Sequence, residues 1–189
     1  MTILNSVEIP EVFTIIPTVF EDNRGYFMES FNEDVFNRIT GVGFHPVQDN
    51  ESCSAKGVIR GLHFQKPPFA QAKLVRVLKG SVYDVAVDIR NGSPTYGKWT
   101  GELLTADNHK QFFIPRGFAH GFVALEDDTI FQYKCDNYYN KESEGAVNYN
   151  DPEIGIYWDK ISDITEYIVS EKDSKNKTLS ELETPFIYE

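Results

Sequence analysis

Residues 57–65 read Gly57-Val-Ile-Arg-Gly-Leu-His63-Phe-Gln65, and the prediction of the fold starts from this segment. Its apolar and β-branched residues favour a strand, which Pro67-Pro68 must end. Arg60 and His63 interrupt the apolar run. Imidazole titrates near pH ~6.5, so His63 can accept or donate a proton at neutral pH. The segment is therefore a candidate catalytic strand.

Short strands separated by turns continue along most of the chain. Turn signals such as Lys79-Gly80 and Asn91-Gly92 recur about every 8–12 residues, a spacing typical of an all-β sandwich or barrel. In the strand predicted at residues 82–89 the apolar side chains share one face, and Asp84 and Asp88 share the other. The predicted strands are residues 58–64, 73–78, 82–89, 99–104, 111–114, 121–125 and 129–136.

Helical signals are confined to short peripheral segments. Asn32 is suited to cap a helix that runs to Ile39 and ends at Gly41. A second short helix is predicted at residues 162–167, before a polar tail at 170–189. We expect one domain, residues 1–189, with an N-terminal arm (about 1–50), a core (about 51–150) and a C-terminal helical or irregular segment (151–189).

Composition restricts the partners and the compartment. The formal net charge of −11 argues against nucleic acid, because a phosphate backbone requires a basic surface. It leaves room for a small anionic ligand held by a few local cations. No apolar run approaches the ~20 residues of a membrane helix. Cys53 and Cys135 lack metal-binding spacing, and the N-terminus has no basic segment, so we expect free thiols in the cytoplasm.

Two stretches resemble the two sequence boxes of the cupin superfamily. The first contains Gly57, His63, Gln65 and Gly80, and the second is Pro115-Arg-Gly-Phe-Ala-His120. The resemblance implies a mainly β, cupin-type jelly roll (double-stranded β-helix) with a few short peripheral helices. Metal-binding cupins have a second histidine where this chain has Gln65, a poor metal ligand, so we expect a metal-free site with His63 available as a base.

Longer strings, spread over residues 3–175, are similar to one family in particular. They are Arg24-Gly, Gln48-Asp-Asn50, Arg60-Gly-Leu-His63, Lys73-Leu-Val-Arg, Asp84-Val-Ala-Val-Asp-Ile-Arg90, Ile114-Pro-Arg-Gly-Phe-Ala-His-Gly121, Tyr133-Lys, Asn137-Tyr-Tyr139 and Ser170-Glu-Lys-Asp173. Together they resemble the dTDP-4-dehydrorhamnose 3,5-epimerase family. The resemblance implies epimerisation of dTDP-4-dehydro-6-deoxy-D-glucose at C3 and C5, in dTDP-L-rhamnose biosynthesis. It implies no cofactor, because the substrate already carries the ketone.

The residues can meet the needs of this chemistry. Inverting a carbon beside a ketone requires a base, a cation or donor at the enolate oxygen, and an acid on the opposite face. His63 is the natural base. The family pattern implies that Asp173 orients His63, that Lys73 faces the enolate oxygen, and that Tyr133, a phenol with a pKa near ~10, is the acid.

The resemblance also implies the substrate-binding residues and an assembly. Arg24, Arg60 and Lys172 would hold the diphosphate, and Tyr139 matches the position that stacks on thymine. In the family the N-terminal region crosses to a partner subunit, so we expect a homodimer with shared sites. The other implied contacts are Glu29, Gln48, Asn50, Glu144 and, in the sugar pocket, His120.

Simpler interpretations exist for single residues and for the function. Alone, His63 and Tyr133 would be core residues more often than catalytic ones, and Asp173 a surface carboxylate. Arg60 and His63 are three residues apart, so they share a face only if a bulge or a distortion re-aims one.

Alternative functions are a single-carbon epimerase on a related 4-keto nucleotide sugar, a metal cupin, and a non-catalytic sugar-nucleotide sensor.

Overall fold

Two sheets packed face to face form the body of the molecule in the computed structural model, which describes residues 1–6 and 8–188. Six antiparallel strands make up the first sheet. In spatial order they are β1 (Thr2–Asn5), β2 (Phe13–Ile16), β10 (Gln111–Ile114), β7 (Lys73–Lys79), β12 (Thr129–Cys135) and β5 (Gln48–Ser54). Strands distant in sequence are therefore neighbours, as the predicted jelly roll requires.

The second sheet carries the segment from which the prediction began. Its strands, in spatial order, are β13 (Glu144–Ala146), β6 (Val58–Gln65), β11 (Phe118–Ala124), β8 (Ser81–Asp88) and β9 (Trp99–Thr105). The short β14 (Ile168–Val169) adds to β6 in parallel. A separate hairpin, β3 (Val19–Asp22) and β4 (Gly25–Met28), pairs only with itself among the described strands.

The space between the sheets is filled by alternate side chains from both. Val75, Val77 and Phe131 of the first sheet pack against Val82 and Phe122 of the second, and all are almost fully buried. Period-two alternation on each strand sends these side chains inward. The mainly β fold predicted from the sequence is thus confirmed, and polar residues at the same inward positions are placed inside the sandwich.

Segments near the two ends of the chain cover the outer faces of the two sheets. Helix α1 (Glu33–Thr40) packs Phe36 against Phe13 and Phe113 of the first sheet. As predicted, the Asn32 side chain accepts a hydrogen bond from Val35 N and caps this helix. The C-terminal segment packs against the outer face of the second sheet. No helix in the described residues is long and apolar enough to cross a bilayer.

The helix predicted at residues 162–167 is wrong. The structure has α2 earlier, at Trp158–Ile161, and α3 later, at Glu171–Ser174. Trp158 is buried, and its indole Nε1 donates to Tyr149 O at 2.9 Å, which fixes the turn at this point. Ser162 has extended backbone (φ −150°, ψ 164°) and ends the helix. Tertiary anchoring of an aromatic residue therefore overrode the local sequence pattern.

A β-bulge in β6 resolves the question of the three-residue spacing. Arg60 pairs with Phe122 and His63 pairs with His120, so three steps on β6 oppose two on β11. The extra residue reverses the alternation, and the side chains of Arg60 and His63 both reach the same inner cavity. The extra residue expected of a bulge is present, and the backbone at Gly61 is also distorted, with φ +136°.

Candidate active site

A cleft with two lobes opens between the sheets. The first lobe, about 570 Å³, includes Gln48, Asn50, Tyr139 and Glu144, and the second, about 510 Å³, includes Arg60, His120 and Asp173. The residues that line both lobes are His63, Lys73, Tyr133 and Lys172. Strands β6, β7 and β12 supply three of these four residues, and Lys172 comes from the C-terminal segment. The imidazole of residue 63 and the phenol of residue 133 therefore share one cleft.

His63 is paired with a carboxylate from the far end of the chain. Its Nε2 lies 2.6 Å from Asp173 Oδ1, and the two residues are 110 apart in sequence. Burial would raise the pKa of Asp173, but the hydrogen bond and charge of His63, with Ser170 and Gly61, lower it overall. An ionised Asp173 accepts the Nε2 proton and leaves the Nδ1 lone pair free. This is the tautomer that a general base needs.

Lys73 is a partly buried cation at the junction of the lobes. Burial lowers its pKa, while Cys135 and Asp84 act in the opposite direction. Its Nζ lies 5.7 Å from the centre of the Tyr133 ring. Burial also raises the pKa of Tyr133, so the phenol keeps its proton at neutral pH. The junction thus holds a donor cation and a protonated acid side by side.

A second histidine–carboxylate pair lies deeper, between β8 and β11. His120 Nε2 is 2.9 Å and 3.0 Å from the two oxygens of Asp84. Both side chains are buried, Asp84 completely. Burial raises the pKa of Asp84 and lowers that of His120. His120 lines the second lobe, and Asp84 stands behind it.

The arginine of the second lobe is held by the backbone and a serine of β5. Arg60 Nε donates to Ser54 Oγ at 3.1 Å, and its NH2 group donates to Cys53 O at 3.2 Å. These contacts fix the guanidinium against β5 without neutralising it, since neither acceptor is a carboxylate. Arg60 is therefore available to bind an anion in the cleft.

The mouth of the first lobe is formed by charged and aromatic residues. Lys172 Nζ donates to Glu144 Oε2 at 2.5 Å, which lowers the pKa of Glu144 and raises that of Lys172. The backbone N–H of Tyr139 donates to Gln48 Oε1 at 2.9 Å. Tyr138 and Tyr139 are both exposed and both line this lobe. The lobe can stack an aromatic ring beside a cation.

Two of the residues taken from the resemblance lie outside the cleft of their own chain. Arg24 is in the turn of the β3–β4 hairpin, has an 85% exposed side chain and is paired with Asp22. Glu29 follows the hairpin and accepts from Asn32 Nδ2 at 3.2 Å. Neither residue lines either lobe.

Sequence reasoning gave no role to several residues in the cleft or directly behind it. Asp84 was visible as a carboxylate in an apolar strand, but nothing in the sequence linked it to His120, 36 residues away. Ser52, Gln71 and Asn176 also line the cleft, and single polar residues give no sequence signal.

The two box histidines are cross-strand partners and both line the second lobe, whereas Gln65 lines the first. Gln65 accepts a hydrogen bond from Asn140 N at 3.0 Å through its Oε1. Each box histidine has its Nε2 against a carboxylate. Within residues 1–6 and 8–188, no three His, Cys, Asp or Glu side chains are grouped as a metal site needs.

Known proteins are similar to this chain in sequence and in fold. A family model described as dTDP-4-dehydrorhamnose 3,5-epimerase matches residues 6–181. The chain is 51% identical over 175 residues to the Escherichia coli protein of that name, covering 93% of both. The Elizabethkingia anophelis protein of the same name superposes with a TM-score of 0.89 at 51% identity, over 96% of this chain and 97% of that one. The dTDP-6-deoxy-D-glucose-3,5-epimerase of Legionella pneumophila, in complex with dTDP-4-keto-L-rhamnose, gives 0.91 at 45% identity, over 96% and 94%.

Proposed function

The chain belongs to the dTDP-4-dehydrorhamnose 3,5-epimerase family, and from this premise we propose that it inverts C3 and C5 of dTDP-4-dehydro-6-deoxy-D-glucose. The product is dTDP-4-dehydro-L-rhamnose, for dTDP-L-rhamnose biosynthesis. One observation carries the proposal: His63, Lys73 and Tyr133 line a single cleft. The substrate ketone acidifies both carbons, so no cofactor takes part. We place the reaction in the reducing cytoplasm, in agreement with the unpaired thiols of Cys53 and Cys135.

His63 removes the proton from the carbon beside the ketone. Nε2 donates its hydrogen to Asp173, so Nδ1 accepts the substrate proton. The carboxylate then stabilises the imidazolium that forms. The C–H electron pair forms a double bond to C4, and the π electrons of the C4 carbonyl move onto its oxygen, which becomes an enolate oxygen.

Lys73 and Tyr133 complete the inversion. The ammonium group of Lys73 stabilises the enolate oxygen in a site where burial strengthens the interaction. Tyr133 donates its phenol proton to the opposite face of the same carbon. The enolate electrons form the new C–H bond and the ketone is restored. The imidazolium returns its proton to solvent and the phenolate regains one, and the cycle repeats at the second carbon.

The two lobes divide the rest of the substrate between them. Arg60 and Lys172 hold the diphosphate through charge-assisted hydrogen bonds. The thymine ring stacks on Tyr139 in the first lobe. Gln48 and Asn50, joined by a 2.9 Å hydrogen bond, line the same lobe as polar contacts. Glu144 and His120 contact the substrate at the mouth and in the sugar pocket.

A homodimer supplies the two residues that one chain keeps outside its cleft. The β3–β4 hairpin exposes Phe20, Tyr26 and Phe27 by 63%, 57% and 72%, an unusual amount for large apolar side chains. Burial of this hairpin against a second copy would bring Arg24 and Glu29 to the partner's cleft. The exposed guanidinium would then add a cation for the diphosphate.

The test is hydrogen exchange in heavy water. The parent enzyme should place deuterium on C3 and C5 of dTDP-4-dehydro-6-deoxy-D-glucose. Proton NMR measures the exchange as loss of the C3 and C5 proton signals. His63→Ala should slow both exchanges by about 10³-fold, since it removes the base. His45→Ala is the matched control, because His45 is exposed, paired with Glu33 and outside both lobes.

Each alternative function gives a different result in this assay. Deuterium at C3 or C5 alone would indicate a single-carbon epimerase. Tight binding without exchange would indicate a sensor, and stoichiometric iron, manganese or zinc with metal-dependent exchange a metal cupin. Undiminished exchange in His63→Ala would exclude His63 as the base.

A further inference from the structure

The inner face of β5 is a row of polar side chains, and one member of the row is unpaired. Gln48 Nε2 donates to Asn50 Oδ1 at 2.9 Å, and Ser54 Oγ accepts from Arg60 Nε at 3.1 Å. Ser52 lies between them on the same face. Its Oγ is shielded from solvent and has no hydrogen-bond partner among the residues that the structure describes. Buried polar atoms without a partner are uncommon and usually have an explanation.

The position of Ser52 lies between the two halves of the cleft. Asn50 is paired across the sheet with Tyr133, and Ser52 is paired with Phe131, one inward step further along β5. One such step is about 7 Å. The next inward residue, Ser54, holds Arg60. Ser52 also lines the second lobe, so its hydroxyl stands between the residues proposed for the ketone and the arginine proposed for the diphosphate.

We propose that the Ser52 hydroxyl binds the substrate where the sugar ring joins the diphosphate. The inference rests on the proposed function, since it places C4 of the sugar at Lys73 and the phosphates at Arg60. The groups then within reach are phosphate oxygens and the hydroxyl on C2. A serine hydroxyl can donate to either and accept from the second. Rotation about the single Cα–Cβ bond turns the oxygen from the wall into the lobe that Ser52 lines.

This role predicts opposite effects on binding and on the stability of the ligand-free fold. A hydroxyl that lacks a partner destabilises the fold, so its removal costs nothing or raises the melting temperature. The bound substrate, in contrast, loses a hydrogen bond. A serine with a structural role would show the reverse, with a lower melting temperature and unchanged affinity.

The experiment compares Ser52→Ala with Ser81→Ala. Ser81 is also buried, but its Oγ donates to Glu126 Oε1 at 2.6 Å and it lies outside both lobes. Affinities for dTDP-glucose and for thymidine diphosphate are measured by calorimetry, together with the melting temperature without ligand. Ser52→Ala should bind dTDP-glucose about fivefold more weakly, with a melting temperature no lower than the parent's. Ser81→Ala should melt lower and bind both ligands normally.

The two ligands locate the contact, and a second variant guards against misfolding. An equal loss for both ligands supports a contact to phosphate, and a loss for dTDP-glucose alone supports a contact to the sugar. Ser52→Cys, close in shape but a weak hydrogen-bonding group, should repeat the loss. Unchanged affinity for both ligands would overturn the inference. Because binding is measured without turnover, failure of the parent to exchange deuterium would reject the epimerase and not this contact.

Discussion

The two histidines of the cleft differ in solvent exposure. The side chain of His63 is 41% exposed, whereas that of His120 is 7% exposed and its partner Asp84 is fully buried. A base that exchanges protons with a substrate and then with solvent needs access, and His63 has it. The His120–Asp84 pair is suited to a fixed electrostatic role. The pair acts on Lys73: together with Cys135, the charge of Asp84 raises the pKa of Lys73 against the larger effect of burial.

Asp84→Asn should therefore change the pH dependence of the reaction. Burial lowers the pKa of Lys73 below its ordinary value, and the Asp84 charge opposes that shift. Without the charge the pKa of Lys73 falls further, so the ammonium form is lost at lower pH. The alkaline limb of kcat should move down by about one pH unit. At neutral pH kcat should fall about tenfold, as measured by deuterium exchange across a pH series.

Asp88 provides the matched control for this prediction. It is also fully buried on β8, but it accepts hydrogen bonds from Arg90, Ser93 and Thr95 rather than from a cleft residue. Asp88→Asn should lower the melting temperature and leave the alkaline limb where it is. If both variants shift the limb equally, the effect comes from loss of a buried charge in general and the role given to Asp84 is wrong.

The bulge in β6 directs both Arg60 and His63 into the cleft, so that one strand can contact the diphosphate and the sugar. Gly61 lies at the bulge with φ +136°, a conformation that residues with a Cβ rarely adopt. A Cβ added there would lie 2.6 Å from the Cα of Gly121 and 2.9 Å from His120 O. Both neighbours are backbone atoms of β11, which cannot move aside without disturbing the sheet.

Gly61→Ala should destabilise the fold and damage the site together. Strain and overlap should lower the free energy of unfolding by about 3 kcal/mol. The bulge can relax only by changing the relative direction of Arg60 and His63, so exchange should fall at least tenfold even well below the melting temperature. Gly43→Ala is the control, because a Cβ at Gly43 meets nothing within 4 Å. Normal exchange in a folded Gly61→Ala variant would show that the bulge does not position the site.

Most elements could be predicted from the sequence because their side chains alternate. The strand predicted at residues 111–114 is observed at those bounds, and α1 begins and ends close to its predicted cap and glycine. The C-terminal segment could not be predicted in this way. Its four-residue α3 is capped by Ser170 and carries Asp173, but the contact that gives Asp173 a role is made to a strand 110 residues earlier. The local sequence contains no trace of that contact, so only the family resemblance indicated it.

In the whole molecule, the β3–β4 hairpin is the element whose exposed aromatic side chains a single chain does not account for. It pairs with no other described strand and exposes three large aromatic side chains. A hairpin with three exposed aromatic side chains is a feature that a second subunit would cover.

Mixing two impaired variants, assayed at a substrate concentration well below saturation so that each alone is slow, tests whether the hairpin serves the partner's cleft. Each site of the proposed dimer combines His63 of one chain with Arg24 of the other. In a mixed dimer of His63→Ala and Arg24→Ala chains, one site carries both substitutions and the other carries neither. Random 1:1 reassembly makes about half of the dimers mixed, so exchange should recover to about a quarter of the parent's rate. The two chains denatured and refolded separately, then combined, are the control. If both residues act within one chain, no site is restored, and an unrecovered mixture that sizes as a dimer would contradict the shared site.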